Sequence, residues 1–170
     1  MRRRAFLMMT ASLALAACEA PQQLHLGTDG KPLGRIYRIA PEDTGKVQYR
    51  MLDSVNRLRQ VAGSPPLQLN AQLTAAAATH ARDMAMQNRP WHFGSDGSSP
   101  IDRVRRVGYP GMMLGENISE TYENEVETLA AWMEISDTRA VIIDPAARDL
   151  GIAWFQESGG KLWWTLLTGG

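Results

Sequence analysis

The chain holds three histidines and a single cysteine, so imidazole and thiol chemistry have few places to sit. His92 lies in "RPWHFGSDG", residues 89–97, and Glu116 in "LGENIS", residues 114–119. A histidine and a carboxylate within reach of each other form an acid–base pair, the carboxylate orienting the ring and favouring its charged form. Hydrolysis by nucleophilic attack would also need a nucleophile and an oxyanion donor. The hydroxyls nearby in sequence are Ser95, Ser98, Ser99, Ser136 and Thr138, and none sits in a G-x-S-x-G elbow. Loop serines of this kind act as turn formers and helix caps. Glu116 has a second reading, in which it bonds buried backbone amides and anchors the loop that carries His92. Both readings stay open from sequence.

The other two histidines stand in different settings. His25 lies in a polar, turn-rich stretch, "QQLHLGTDGKPLGR", and is expected to be solvated. His80 falls on the same helical face as Leu73, Ala77 and Met84, which predicts a hydrogen-bonded core histidine.

The elements that must position these residues follow from periodicity. "VQYRMLDSVNRLRQVAG" places Val47, Met51, Val55, Leu58 and Ala62 at helical spacing, with Gly63 as the stop. "SPPLQLN" reads as an extended link, and Asn70 as the cap of a helix over "AQLTAAAATHARDMAMQN". Ser99 and Pro100 open a short helix with Ile101, Val104 and Val107 as its apolar side, closed by Gly108. In it "RVRRVG" reads as a solvated face, with Arg103 available to an acid nearby. "MMLGENIS" is extended, and "ENEVETLAAWMEI" is helical with Val126, Leu129, Ala130 and Met133 inward. A further helical turn runs through "SDTRAVII", and "LGIAWFQ" and "LWWTLLT" are strands around the "ESGGK" hairpin loop. Of the tryptophans Trp91, Trp132, Trp154, Trp163 and Trp164, the adjacent pair 163 and 164 must face opposite sides of the sheet. Helices first and antiparallel strands last predict an α+β layered domain rather than a doubly wound sheet.

The N-terminus reads as targeting. Arg2, Arg3 and Arg4 precede a short apolar run, "AFLMMTASLALAA", and then "LAAC", which resembles a bacterial lipobox. That resemblance implies a signal peptide over 1–17, cleavage before Cys18 and lipid on its thiol, leaving no cysteine for redox or metal chemistry. Each buried acyl CH2 contributes about 0.8 kcal/mol, enough over several chains to hold a soluble domain at a membrane. Residues 18–45 read as a tether and 46–170 as the domain. Glu19 stands where an aspartate would favour inner-membrane retention, so the expected place is the outer membrane, facing the periplasm, if the source is Gram-negative. Formal net charge is zero and no basic stripe is present, which argues against nucleic acid as a partner.

Taken in order, "LQLNAQLTAAAATHARDMA", "HFGSDGSSPIDRVRRVGY", "LGENIS", "AAWMEISDTRAVIIDPAARDLGIAW" and "LWWTLL" resemble the bacterial branch of the CAP superfamily, which groups cysteine-rich secretory, antigen 5 and pathogenesis-related (SCP-like) proteins. The resemblance implies a three-layer α-β-α sandwich with a surface cleft that often holds two histidines and one or two acids and can bind a divalent metal. By that resemblance His92 matches the first histidine and Glu116 the acid of "GEN". Thr138, in "WMEISDTR", stands where the second histidine is usual, and Glu134 lies one residue from the place of a second acid. One imidazole, one carboxylate and a neutral hydroxyl are too few donors for tight zinc, which asks for three or four N, O or S ligands at about 2.0–2.3 Å. The expectation is therefore no metal and no cofactor. Family members bind sterols and fatty acids, signal, or occasionally cleave proteins. Here the reading is a non-catalytic envelope lipoprotein that binds an apolar, lipid or sterol-like ligand, or an envelope protein, at a His92/Glu116 cleft. Two alternatives stand beside it: a hydrolase using His92 and Glu116, and a purely structural envelope domain.

Overall fold

A computed structural model describes residues 36–170; the expected signal peptide, Cys18, His25 and most of the expected tether lie outside the described residues. Four strands form one mixed sheet in the order β1-β3-β4-β2. They are β1 (Gln68–Leu69), β2 (Met113–Thr121), β3 (Asp149–Gln156) and β4 (Leu162–Gly169). β4 pairs antiparallel with both β2 and β3, while β1 adds two residues parallel to β3. On one face lie α1 (Thr44–Ala62), α4 (Glu125–Glu134) and α5 (Ser136–Ile143); on the other lie α2 (Ala71–Gln87) and α3 (Pro100–Arg106). This is the expected α+β, three-layer α-β-α sandwich.

Alternation along the strands sorts the core into two halves. Leu150, Ile152, Leu162, Trp164 and Leu166 pack with Val47, Met51, Val55, Leu129, Trp132 and Ile142. Ala153 and Leu167 pack with Leu73, Ala76, Ala77, Val104 and Tyr109 on the opposite face. All eight β4 residues are buried, so Trp163 and Trp164 both lie inside, each under a different helical layer. α2 approaches the sheet most closely at Gly151, where any Cβ would collide with the Leu73 backbone.

Local signals set the helix ends. Asn70 Oδ1 accepts from Gln72 N and Leu73 N at 3.0 Å each, and such a cap stabilises by about 1 kcal/mol. Gly63 ends α1 in the left-handed region at φ 75°, a conformation that glycine adopts without Cβ strain. Ser99 and Asp102 form a capping box for α3, and Asn124 and Glu127 form one for α4.

Three helical faces differ from expectation, each because a charged side chain takes an inner position. In α1 Arg59 is fully buried, whereas Leu58 is half-buried and Ala62 exposed. Arg59 donates to the carbonyls of Pro65 (2.7 Å), Ile142 (2.8 Å), Asp144 (3.0 Å) and Ala147 (3.1 Å), tying the end of α1 to the α5–β3 connection. In α3 Arg103 turns inward and Ile101 is exposed. In α4 Glu125, Thr128, Leu129 and Trp132 face in, while Val126 and Ala130 face out. Glu125 is fully buried. It accepts from Tyr37 Oη at 2.8 Å and pairs with Arg50 Nε at 3.0 Å, off the hydrogen-bond direction. Burial, then the Glu125 carboxylate, push the Tyr37 phenol up to about 12.

The packed chain also begins earlier than Lys46. Gln156 accepts from Ile39 N at 3.1 Å and donates to Tyr37 O at 2.7 Å, and Arg38 donates to Ser158 O at 2.7 Å. Residues 36–39 are therefore a strap on the domain, held by side chains whose partners lie more than a hundred residues away in sequence.

Candidate functional site: the Glu116–Arg103–His92 network

Glu116 sits on β2 opposite Leu167, so its side chain points toward the α2/α3 layer. Its carboxylate is 2 % exposed. Arg103 Nη2, from α3, donates to Oε2 at 2.7 Å and to Oε1 at 3.0 Å. His92 Nδ1 donates to Oε1 at 2.8 Å, because the carboxylate can only accept. The expected pair therefore forms, and the guanidinium of Arg103 completes it. Glu116 is an anchor as well, though through Arg103 rather than backbone amides. Arg103 Nη1 reaches the carbonyls of His92 (3.0 Å) and Ser98 (3.2 Å), so one side chain ties the loop to β2.

The loop is gripped from α2 as well. His80 Nε2 donates to Trp91 O at 2.9 Å. Asp83 accepts from Ser95 N at 2.7 Å and from Ser95 Oγ at 2.6 Å. Gln87 accepts from Trp91 Nε1 at 2.9 Å and donates to Phe93 O at 3.3 Å. His80, Asp83 and Gln87 recur at three- and four-residue steps, one face of a helix. Sequence reasoning placed His80 on that face and missed the other two, although their spacing was available. His80 is fully buried as expected, but it also borders the site, with Nε2 3.9 Å from Glu116 Oε1. Burial, the largest cause, holds its ring below the ordinary histidine range.

The hydroxyls are committed elsewhere. Ser95 binds Asp83, Ser99 closes the α3 capping box, and Ser136 donates to Asp137 Oδ1. Asp96, bonded to Ser98 and Arg106, is held well below the usual carboxylate range. Thr138 Oγ1 donates to Trp132 O at 2.6 Å. Its carbonyl accepts from Asn117, whose side chain leaves β2 on the face opposite Glu116. Glu134 is exposed at the end of α4. Among the described residues, no hydrogen bond or ion pair joins Thr138 or Glu134 to His92 or Glu116.

These contacts decide how a metal would fare. Both Glu116 oxygens already face a cation, and His92 Nδ1 is used on the same carboxylate. The outward nitrogen of His92, on a side chain 51 % exposed, and the buried Nδ1 of His80 are the nitrogen donors left open around the network. The residues present do not fit a zinc centre, which needs several convergent ligands.

Open space lies beside the network. A groove of about 440 Å³ runs between α2 and α3 and is lined by Ala76, Met86, Ser95, Ser98, Arg103 and Val107, among others. It shares Arg103 and Ser98 with the ion network, but His92 and Glu116 do not line it. Among the described residues this groove lies on the α2 side of the His92–Glu116 pair.

Residues 52–167 match the model of the cysteine-rich secretory protein family, CAP. Protein YkwD of Bacillus subtilis, itself uncharacterized, is 27 % identical over 124 residues, covering 73 % of this chain and 48 % of that protein. The chain thus spans about half the length of that curated relative. Among solved structures, an extracellular SCP-domain protein of Bacillus anthracis superposes with a TM-score of 0.68 at 20 % identity, covering 78 % of this chain and 44 % of that one. An outer surface protein of Borrelia burgdorferi gives 0.65 at 15 % identity, covering 75 % and 94 %. At these identities the structures speak for the fold. The motif order, the sandwich and a family match that spans most of the chain agree, and the chain belongs to the cysteine-rich secretory protein (CAP) family.

Proposed function

We propose that this protein is a non-catalytic, lipid-anchored CAP module of the cell envelope that binds an apolar ligand in the groove between α2 and α3. One observation favours binding over catalysis: the carboxylate that meets His92 has both oxygens held by Arg103. A carboxylate neutralised in this way orients a loop and is poorly placed to drive proton transfer. The groove beside it has apolar walls at Ala76, Met86 and Val107, a charged border of Arg82, Asp83, Asp96, Arg103 and Arg106, and a volume within the range of small-molecule sites. A lipid or sterol-like molecule, or an apolar side chain of an envelope protein, fits that chemistry.

Titration of the purified protein with a fluorescent fatty-acid probe tests this reading. Binding should be saturable, should fall sharply in Met86→Glu, which places a charge on the groove wall, and should persist in His92→Ala. Binding that survives Met86→Glu would sink the groove assignment. The oriented ring of His92 is what favours the second reading, a hydrolase. Ester hydrolysis abolished by His92→Ala would install it in place of the first.

The anchor is argued from "LAAC". In this proposal the membrane is reached through lipid on Cys18; among the described residues no helix is long and apolar enough to cross a membrane. Cys18→Ser should move the protein from the outer-membrane fraction to the soluble envelope fraction. A full-length, folded variant that stays in membranes would overturn the lipobox assignment.

A further inference from the structure

We infer that His80 is an acid-sensitive catch for the loop of residues 89–98. The consequence for ligand access rests on the groove reading, because Ser95, Asp96 and Ser98 of this loop line the groove; the loop motion itself does not.

The inference starts from the ring's two nitrogens. His80 is fully buried. Its Nε2 carries a proton, because the Trp91 carbonyl at 2.9 Å can only accept. Its Nδ1 is buried with no hydrogen-bond partner. With the loop closed, the site therefore suits a neutral ring. A second proton would create a buried charged N–H without an acceptor, a costly arrangement. The groups that face the ring come from every side: Glu116 from β2, Arg103 from α3, Asp83 from α2 itself and the Trp91 carbonyl from the loop. Glu116 favours the imidazolium and Arg103 opposes it. Glu116 is already shared between Arg103 and His92, so it is poorly free to compensate a new cation. Lifting the loop would replace the Trp91 carbonyl at Nε2 by water and open the ring to solvent, which relieves the penalty.

The sign follows by linkage. The closed-state ring titrates below the ordinary histidine value of 6.5, with burial as the main cause. In the open state the solvated ring returns toward that value. The closed loop is therefore fully favoured above the open-state value and loses ground as pH falls below it. The open population gains about tenfold per pH unit until the closed-state value is passed.

Hydrogen exchange at the amide of Ser95, which bonds across to Asp83 of α2, tests this with amides of α2 as the internal reference. Between pH 7.5 and 5.5, protection of the loop should fall by up to about tenfold relative to α2. In His80→Gln, whose amide still donates to Trp91 O but does not titrate, relative protection should stay level. A pH response that persists in His80→Gln, or that disappears instead in His92→Gln, overturns the proposal. Should His80→Gln fail to fold, ring NMR of the unsubstituted protein decides. The His80 ring must be a neutral Nε2–H tautomer at pH 7.5 and must titrate together with loop exchange; a charged ring at pH 7.5 overturns the proposal. Fluorescent-probe binding at pH 7.5 reports on the groove separately, so its failure leaves the exchange result standing.

Discussion

Arg59 and Arg103 are both buried, one on each side of the sheet, and they are satisfied in different ways. Arg59 directs its guanidinium at four neutral carbonyls contributed by Pro65, Ile142, Asp144 and Ala147. No counter-ion is present among its hydrogen-bond partners, and burial pulls the guanidinium below its usual value. Arg103 divides its bonds between the Glu116 carboxylate and two loop carbonyls, and leaves its Nε buried without a partner. The first arrangement closes a seam between the end of α1 and the α5–β3 connection, beside the apolar packing of Val55 and Ile142. The second couples charge on β2 to the position of a loop. The Arg59 seam thus needs no counter-charge, whereas the Arg103 junction depends on the charge of Glu116.

If that contrast is right, Arg59→Met should give the largest loss of stability. It leaves several carbonyls without a donor deep in the fold, and a cost of about 3–5 kcal/mol is expected from urea denaturation. A loss under about 1 kcal/mol would show that water replaces the guanidinium and that the seam is not closed by Arg59. Arg103→Met should cost somewhat less, about 2–4 kcal/mol, because the exposed loop can lift and hydrate Glu116. The sharper measurement is the pair. Arg103→Met with Glu116→Gln should recover part of the single-variant loss, since the amide removes the unpaired charge. Strict additivity would mean that the two residues do not act together. His80→Ala should cost about 2–3 kcal/mol, as a buried truncation that also frees the Trp91 carbonyl. His92→Ala should cost less than about 1 kcal/mol, because its ring is half in water; equal midpoints for the two would erase the distinction between them. The smallest effect concerns metal. Protein soaked in zinc and dialysed should retain well under one equivalent by elemental analysis. Stoichiometric zinc lost on His92→Ala would show that Arg103 yields Glu116 to a cation.

Much of this architecture could be read from the chain. Asn70, Gly63 and the "ESGGK" hairpin act where their side chains and dihedrals predict, because caps and turns are local. The pairing of His92 with Glu116 also emerged, through the order of the motifs. What escaped was the inward turn of charged residues on helices. Periodicity assigns Arg59, Arg103 and Glu125 to the water face because it knows polarity and not partners. The partners come from residues far away: Ile142 for Arg59, Glu116 for Arg103, Tyr37 for Glu125. A rotation of α4 by one residue, with Asn124 as its cap, was enough to exchange Val126 for Glu125 on the inner face. The groove escaped for a related reason, since its walls come from the outer side of α2, where Met86 looks like an ordinary exposed residue.

The strap at residues 36–39 changes how the domain would bear load. A pull arriving from the N-terminal side meets Tyr37 on Gln156 and Glu125, then Arg38 on Ser158, then Ile39 on Gln156. These contacts belong to the end of β3, the hairpin and the start of α4, so tension enters the sheet and a helix before it reaches α1. The bonds are separate and few, and they would let go one after another. The strap would act as a mechanical fuse: slack is released in short steps, and the core feels the pull only after the last step has gone.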